Sequence, residues 1–438
     1  MKLITNGIKG TEDVLPSQSY RWQFVEDIMR KQAQVYGFKE IRTPVFEHTE
    51  LFNRSVGDTT DVVQKEMYTF TTKGGESVTL RPEGTAGAAR AVLEHGVYND
   101  GYPIKAYYFT SCYRYEKPQK GRQREFHQFG MEVYGAPSYF ADAEVICAAH
   151  SIFDRLGVMN LSLELNSIGC QECRPLYHKA LKEYFTSCQD QLCETCLSRL
   201  DRNPMRILDC KNPECAAVAA KAPVVLDYIC DDCKAHFEGV KSCLDAAKLR
   251  YKINPQIVRG LDYYTRTVFE FVSQDIGAQG TVCGGGRYDG LIEELGGQHT
   301  PSLGFGMGIE RLLLLLESQK IEIPHPPVCD LYVIGLGDAA KAKAFTIIEQ
   351  VRSSSLIAEG DIVGRALKPQ MKYADKIKAR FLMVIGESEL AENRAKLKNM
   401  EDHTEKLVPL DDGFFNEFFD AYVESDQTKL LSQLDSMK

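Results

Sequence analysis

Three things are scarce in this sequence, and each scarcity excludes something. No apolar run approaches the roughly 18–20 residues that span a bilayer, and the opening MKLITNGIKG has no apolar core of the kind a secretory signal carries. A cytoplasmic protein is therefore expected. Positive charge is not in excess: the formal net charge of the 438 residues is −9, which argues against a protein coated in nucleic acid and leaves only local basic patches for such contact. Cysteine is sparse outside one stretch, since ten of the 14 fall between Cys170 and Cys243. In a reducing compartment such a cluster means metal or local packing rather than a disulfide scaffold.

What is present suffices for two or three domains with real cores, because 44% of this long chain is hydrophobic. From Ser17 to Tyr36, bounded by Pro16 and Gly37, the residues Val25, Ile28, Met29 and Val35 fall at near-helical spacing and predict an amphipathic helix. In GFKEIRTPVFE, Gly37 to Glu47, Pro44 has no N–H and reads as an edge or interface position of a sheet. TLRPEGTAGAARAVLEH reads as a strand ending at Arg81 and Pro82, then a helix beginning near Ala86. Its N-terminus presents free N–H groups, so Glu83, Gly84 and Thr85 either hold an anionic or polar ligand or, for Thr85, simply cap the helix.

Lys105 to Gly135 reads as two aromatic strands around a basic loop. Alternation puts Thr110, Cys112, Arg114 and Glu116 on one face of the first strand, and Phe126, Gln128, Gly130 and Glu132 on one face of the second, with Phe129, Met131 and Val133 opposite. Charges inside aromatic strands are costly unless paired or facing a ligand. Arg114 and Glu132 thus either form an interstrand ion pair or line a site.

Three segments in order then resemble a known family. Gly37 to Phe46, YRYEKPQKGRQREF (Tyr113 to Phe126) and LGFGMGIERLLLLLE (Leu303 to Glu317) resemble motifs 1, 2 and 3 of the class II aminoacyl-tRNA synthetases. Arg259 with GLDYYTRTVFE (Gly260 to Glu270), and GGGRYDGL (Gly284 to Leu291), resemble two signature peptides of histidyl-tRNA synthetases. The resemblance implies an α+β catalytic domain, an antiparallel sheet with flanking helices in two parts (residues 1–167 and 247–325), interrupted by a small helical insertion (168–246) and followed by a C-terminal α/β anticodon-binding domain (329–438). It implies a cytoplasmic homodimer that uses L-histidine, tRNA-His and ATP with Mg2+.

Residue roles follow by the same resemblance. Arg114 is expected on the α-phosphate, where its planar fork donates bidentately, Phe126 under adenine, and Arg311 over it by cation–π contact while reaching the γ-phosphate. Arg122 is a second γ-phosphate candidate and Glu116 a contact to the adenine amino group. Arg259 supplies a fixed catalytic cation beside the α-phosphate. A site that discriminates histidine has to pair the ring nitrogens; Glu132 suits one, and Tyr264 or Tyr263 the other. Glu83, Gly84 and Thr85 are expected near the α-ammonium, Gln128 near the carboxylate, and Tyr288 in the pocket wall. Gln119 and Arg124 are expected at the tRNA.

In the insertion, Cys170 and Cys173 followed by Cys193 and Cys196 match the spacing of a four-thiolate zinc site, with Cys230 and Cys233 a third pair; buried thiols packing as small hydrophobes is the competing reading. After the proline-rich IPHPPV, an apolar strand CDLYVIGLG, a helix near Ala339 to Arg352 and a strand RFLMVIGE predict an α/β domain. Arg365 to Arg380 holds Arg365, Lys368, Lys372, Lys376, Lys378 and Arg380 against Asp375. This is either a solvated face or an RNA contact, for which Arg365, Lys368 and Lys372 are the candidates. Three competitors remain. A synthetase for another amino acid, such as the threonyl or prolyl enzymes, would share the motifs and the C-terminal fold but not the peptide from Arg259 to Glu270. A histidine-sensing regulatory subunit of ATP phosphoribosyltransferase would lack the C-terminal domain and lose the ATP-contacting arginines. A zinc protein that only binds RNA would leave the three motifs idle.

Overall fold

Alternation of apolar and polar residues along the strands builds a sheet with one face for the core and one for the site. The computed structural model describes residues 4–57, 60–210, 212–277, 280–325 and 329–436, so the linker positions 326–328 lie outside the described residues. The chain divides into two compact units, Met1–Ile323 and Pro324–Lys438.

The first unit contains β1 (Lys39–Glu40), β2 (Phe46–His48), β3 (Tyr68–Thr71), β4 (Ser77–Leu80), β5 (Ile104–Tyr113), β6 (Glu125–Tyr134), β7 (Ser162–Ser167), β8 (Lys252–Ile253), β9 (Thr265–Val272), β10 (Thr281–Arg287) and β11 (Ser302–Gly308). Among the described residues, eight of these form one sheet in the order β1-β5-β6-β11-β10-β9-β7-β8, and β2-β4-β3 form a small second sheet. The central ladders from β5 to β7 are antiparallel; the outer pairs β1–β5 and β7–β8 are parallel. Phe129, Met131, Val133, Leu303, Phe305, Met307, Phe269 and Phe271 point to one face. They pack there with Val25, Met29 and Ala33 of helix Pro16–Val35 and with the helices Tyr139–Arg155 and Ile309–Ser318. Burying a row of such side chains stabilises the face by about 1.5–3 kcal/mol each.

Two sequence expectations are corrected here. Val35 is exposed, because the buried stripe runs Val25, Met29, Ala33 and the helix ends before its next turn reaches the sheet. Pro44 lies in neither sheet, but in the link between β1 and β2; there its carbonyl and that of Thr43 accept from the buried Arg81 guanidinium, each at 2.8 Å.

Between β7 and β8 the chain forms helices Arg174–Ser187, Glu194–Arg199, Pro213–Ala219 and Asp231–Ala246. Its side chains pack into a core continuous with Tyr263, Tyr264 and Tyr288. The second unit has β12 (Leu331–Gly335), β13 (Ala358–Gly360), β14 (Phe381–Ile385), β15 (Arg394–Asn399) and β16 (Glu405–Pro409) in the order β13-β12-β14-β15-β16. β12 pairs in parallel with β13 and β14, while β14–β15 and β15–β16 are antiparallel. The sheet is therefore mixed, and it is flanked by helices Asp338–Ser353, Leu367–Lys376 and Phe414–Ser436.

Candidate active site

The site occupies the face of the large sheet opposite the core. Register fixes its floor: Thr110 pairs with Gln128 and Ala106 with Glu132 across β5–β6, while Gly304, Gly306 and Gly308 pair with Glu132, Gly130 and Gln128 across β11–β6. The motif 3 glycines are thereby explained as clearance. A Cβ on Gly304 would overlap Oε2 of Glu132 and come within 2.5 Å of the Met131 carbonyl, and one on Gly306 would overlap Nε2 of Gln128.

Glu132 is fully buried and accepts from three hydroxyls: Thr85 Oγ1 at 2.8 Å, Tyr108 Oη at 2.9 Å, and Tyr288 Oη. Burial pushes its carboxyl up to about 8, against the opposing pull of the hydroxyls and with Glu83 adding to the rise. Glu83 is also buried, and burial raises it as well; its two oxygens accept from Thr85 N at 2.7 Å and Ala86 N at 2.8 Å. Thus Glu83, not Thr85, satisfies the N-terminus of helix Thr85–Glu94, and the hydroxyl of Thr85 is left for Glu132. Gly84 N–H donates to Gln128 Oε1 at 3.1 Å. Tyr263, Tyr264 and Tyr288 close the wall as a ring cluster with centroids 4.6, 5.4 and 6.4 Å apart.

Beside this carboxyl-and-hydroxyl pocket, with Gln128 on the shared wall, is a cavity of about 190 Å³ lined by Arg114, Arg122, Arg259 and Arg311 against Glu116 and Glu310. Arg114 donates to the Pro82 carbonyl at 2.8 Å and stands 5.3 Å over the Phe126 ring. The interstrand Arg114–Glu132 pair does not form. Arg122 is ion-paired to the buried Glu116, and Gln119 bridges Arg122 through the backbone, which folds the motif 2 loop into a tight turn. Arg311 donates to the carbonyls of Gly121 at 3.1 Å and Thr281 at 2.8 Å; burial lowers its pKa, and the nearby Arg122 and Arg114 lower it further. Crowding like charges in a half-buried cavity is unfavourable without an anion to share them.

Arg259 contacts that cavity but is not a free cation. It is ion-paired to Glu270, whose other oxygen accepts from Thr281 Oγ1 at 2.9 Å, and it lies 5.5 Å over the Tyr264 ring. Although burial works against the charge, Glu270 and the tyrosines raise its pKa above the ordinary range. Its Nε is buried without a hydrogen-bond partner among the described residues.

Sequence reasoning missed three residues. Tyr108 lies two positions before Thr110 on the same face of β5, so extending the alternation would have found it. Glu270 closes the Arg259 peptide, where nothing local marks it as that arginine's partner. Arg287, inside GGGRYDGL, is fully buried and ion-paired to Asp142, and also to Asp289 at 3.0 Å; against the effect of burial, Arg287 and His236 hold the Asp142 carboxyl at about 2. Gln119 and Arg124, expected at the tRNA, are not among the residues that line the cavity. Arg124 stacks on Tyr115 at 4.0 Å and donates to Lys9 O at 3.4 Å, while Gln119 is exposed at the loop tip. In the second unit, Arg365 is paired to Asp361 at 2.8 Å and Arg380 stacks on Tyr422 at 4.1 Å. That leaves Lys368, Lys372 and Lys376 as one exposed stripe on helix Leu367–Lys376.

The four expected zinc ligands do not meet at one centre. Cys170 and Cys173 converge with Cys230 and Cys233, whereas Cys193 and Cys196 converge with Cys210 and Cys215. Spacing alone joined the first two pairs because it carries no information on which helix returns to which turn.

Among the described residues, no helix is long and apolar enough to cross a membrane. Residues 10–312 match the histidyl-tRNA synthetase family and residues 330–414 the anticodon binding domain. A histidine–tRNA ligase of Caldanaerobacter subterraneus subsp. tengcongensis is 55% identical over 94% of this chain and 98% of its own length; one of Clostridium novyi is 55% identical over 92% and 96%. The crystal structure of apo S. aureus histidyl-tRNA synthetase superimposes with a TM-score of 0.80 at 38% identity, covering 93% of this chain and 98% of that one. With a glycine-floored carboxylate pocket beside an arginine-lined cavity, and with these matches along nearly its whole length, the chain belongs to the histidyl-tRNA synthetase family.

Proposed function

We infer that the chain is a histidine–tRNA ligase, which activates L-histidine with ATP to histidyl-adenylate and pyrophosphate and then passes histidine to the 3′ end of tRNA-His. The observation that carries this reading is the adjacency of two complementary compartments, sharing Gln128 as a wall. One is built for a small polar ring and the other for a polyanion. The matched anticodon binding domain and the retained arginines of the cavity disfavour the regulatory-subunit alternative.

In this reading Glu132 accepts the imidazole N–H, and Tyr264 or Tyr263 meets the second ring nitrogen. Thr85, Gly84, Glu83 and Tyr288 complete the pocket around the α-ammonium, and Gln128 holds the carboxylate near the phosphates. Arg114 and Arg259 flank the α-phosphate, where charge accumulates as the carboxylate oxygen attacks phosphorus and pyrophosphate leaves. Glu270 acts on Arg259 by fixing its guanidinium in place; the donors that Glu270 does not occupy remain for the nucleotide. Arg311 and Arg122 serve the outer phosphates, and Phe126 and Glu116 the adenine. ATP would bring Mg2+ with it, and Glu310 on the cavity wall, whose oxygens accept from His127 N at 2.8 and 3.0 Å, is the carboxylate that would hold that ion.

The insertion at 168–246 is assigned to the acceptor arm of the tRNA, and the stripe Lys368, Lys372 with Arg365 to its anticodon end. A cytoplasmic homodimer built across motif 1 fits the exposed Val45 and Phe46 beside Pro44. Pyrophosphate exchange across a panel of amino acids tests the reading. Exchange with histidine alone is expected, and exchange driven by any other amino acid overturns it.

A further inference from the structure

Eight of the ten insertion cysteines gather into two groups of four, and in each group all sulfurs lie within 4.8 Å of one another. We propose that the insertion carries two separate structural zinc ions, one held by Cys170, Cys173, Cys230 and Cys233, the other by Cys193, Cys196, Cys210 and Cys215.

The distances select a single four-thiolate ion over a disulfide or a cluster, and the all-sulfur donor set suits zinc. A tetrahedral zinc with Zn–S near 2.3 Å sets its sulfurs about 3.8 Å apart. Here Cys170–Cys173 is 3.5 Å, Cys170–Cys230 4.0 Å and Cys173–Cys233 3.9 Å in the first group, and Cys193–Cys210 is 3.9 Å in the second. A disulfide needs about 2.05 Å, so the pairs are not bonded to each other. An iron–sulfur cluster, with several irons between its thiolates, requires wider spacing than a single ion does. Each group also includes a backbone N–H aimed at sulfur, Cys230 N to Cys173 Sγ and Cys193 N to Cys215 Sγ, both at 3.1 Å. Such donors stabilise a thiolate around a metal and orient it.

The remaining two cysteines of the domain show what packing thiols look like here. Cys188 turns back to the Tyr184 carbonyl of its own helix at 3.3 Å, and Cys243 packs against the large core. Neither joins a group. The ordinary behaviour of a buried cysteine as a small hydrophobe therefore accounts for these two and not for fourfold convergence occurring twice.

Position gives the ions a purpose. Cys170 and Cys173 lie where the chain leaves β7, and Cys230 and Cys233, each 60 positions after its counterpart, at the start of the helix that returns to the sheet. The first ion thus staples the two crossings of the insertion. Arg174, next to Cys173, donates to the Tyr264 carbonyl, and Gly169 accepts from Arg266 N at 2.8 Å. The second ion holds the short helices from which Arg206 reaches the Gly260 carbonyl at 2.7 Å and Asp262 at 3.0 Å. Both ions brace the peptide that carries Tyr263 and Tyr264.

The full chain, purified under reducing conditions without chelator, is expected to contain about two zinc per chain by elemental analysis. Chain produced with cobalt is expected to show the thiolate charge-transfer bands and visible bands of tetrahedral Co2+. Cys170→Ser and Cys193→Ser should each lower the zinc content to about one, the double variant should abolish it, and Cys188→Ser should leave it at two. The wild-type stoichiometry and cobalt spectrum stand even if a variant fails to fold. About one equivalent of zinc or less in the wild type, two zinc retained by either single variant, or iron in place of zinc would each overturn the proposal.

Discussion

Gly304→Ala is the substitution whose consequence the geometry specifies most fully. Real Cβ contacts stay beyond 3.0 Å, yet this one would meet the Met131 carbonyl at 2.5 Å and overlap Glu132 Oε2. The carbonyl belongs to a strand laddered to β11, so it yields only by prising β6 and β11 apart by roughly half an ångström; overpacking of this kind costs about 1–3 kcal/mol. Displacing Glu132 also sacrifices one or two of its three hydroxyl donors, each worth about 1 kcal/mol. Against this, alanine in a strand is favoured over glycine by about 0.5–1 kcal/mol. The net loss is about 1–4.5 kcal/mol. With an unfolding entropy near 2.1 cal/mol/K per residue, the unit Met1–Ile323 loses roughly 1.5–7 °C in Tm. Gly306→Ala is the control, because the three atoms nearest its Cβ all belong to the Gln128 side chain rather than to backbone, and its Tm should fall by no more than about 1–2 °C. Calorimetry with pyrophosphate exchange at varied histidine measures both. Gly304→Ala should raise the KM for histidine at least about fivefold, one hydrogen bond's worth, with the KM for ATP within about twofold. An unchanged Tm and histidine KM would refute the idea that the absent Cβ is what places Glu132.

Three further outcomes are expected. Glu132 titrates near 8 when folded against 4.5 as its ordinary value, so the stability its proton confers is complete below about pH 4.5 and is lost as pH rises through about 8, by up to about 1.4 kcal/mol per unit. The Tm of the wild type relative to Glu132→Gln should therefore fall between about pH 6 and pH 8, and a pH-independent difference contradicts the burial argument. Arg259→His should lower histidine-dependent pyrophosphate exchange about a hundredfold or more while affecting transfer from preformed adenylate less, as a group acting at the α-phosphate does; equal losses in single-turnover assays of the two half-reactions argue against that role. Reversing Lys368 and Lys372 to Glu together should raise the KM for tRNA severalfold and flatten its salt dependence, with pyrophosphate exchange unchanged. A salt slope equal to that of the wild type would return the stripe to an ordinary solvated face.

Strand alternation read from the sequence separated Gln128, Gly130 and Glu132 from Phe129, Met131 and Val133, and the structure keeps that division. Period-two geometry is a local property, so neighbouring residues carry it. The three motifs and the two histidine-specific peptides likewise stood in order along the chain and fixed the family before any contact was known. The helix Asp338–Ser353 and the strands β12 and β14 of the second unit were equally plain, whereas β13 and the β15–β16 hairpin were not; in the hairpin a Lys-rich outer face masks the buried Ala395 and Leu397.

Partnership between distant residues was decided only by folding. Arg259 stood in the sequence as a catalytic cation, but the antiparallel ladder brings Glu270 against it, so the cation is held by a carboxylate its own peptide supplies. Tyr108 entered the pocket because Gly84 and Gly130 lack the Cβ atoms that would exclude its ring. The cysteines make the same point most sharply. Their number and CxxC turns were written in the sequence, which left a shared zinc centre and the plain packing of buried thiols as alternatives. Which pair meets which is set by where helices return, and packing sorted eight thiols into two centres. Composition and motif determined what chemistry this chain has at its disposal; the tertiary structure decided which groups stand close enough to perform it.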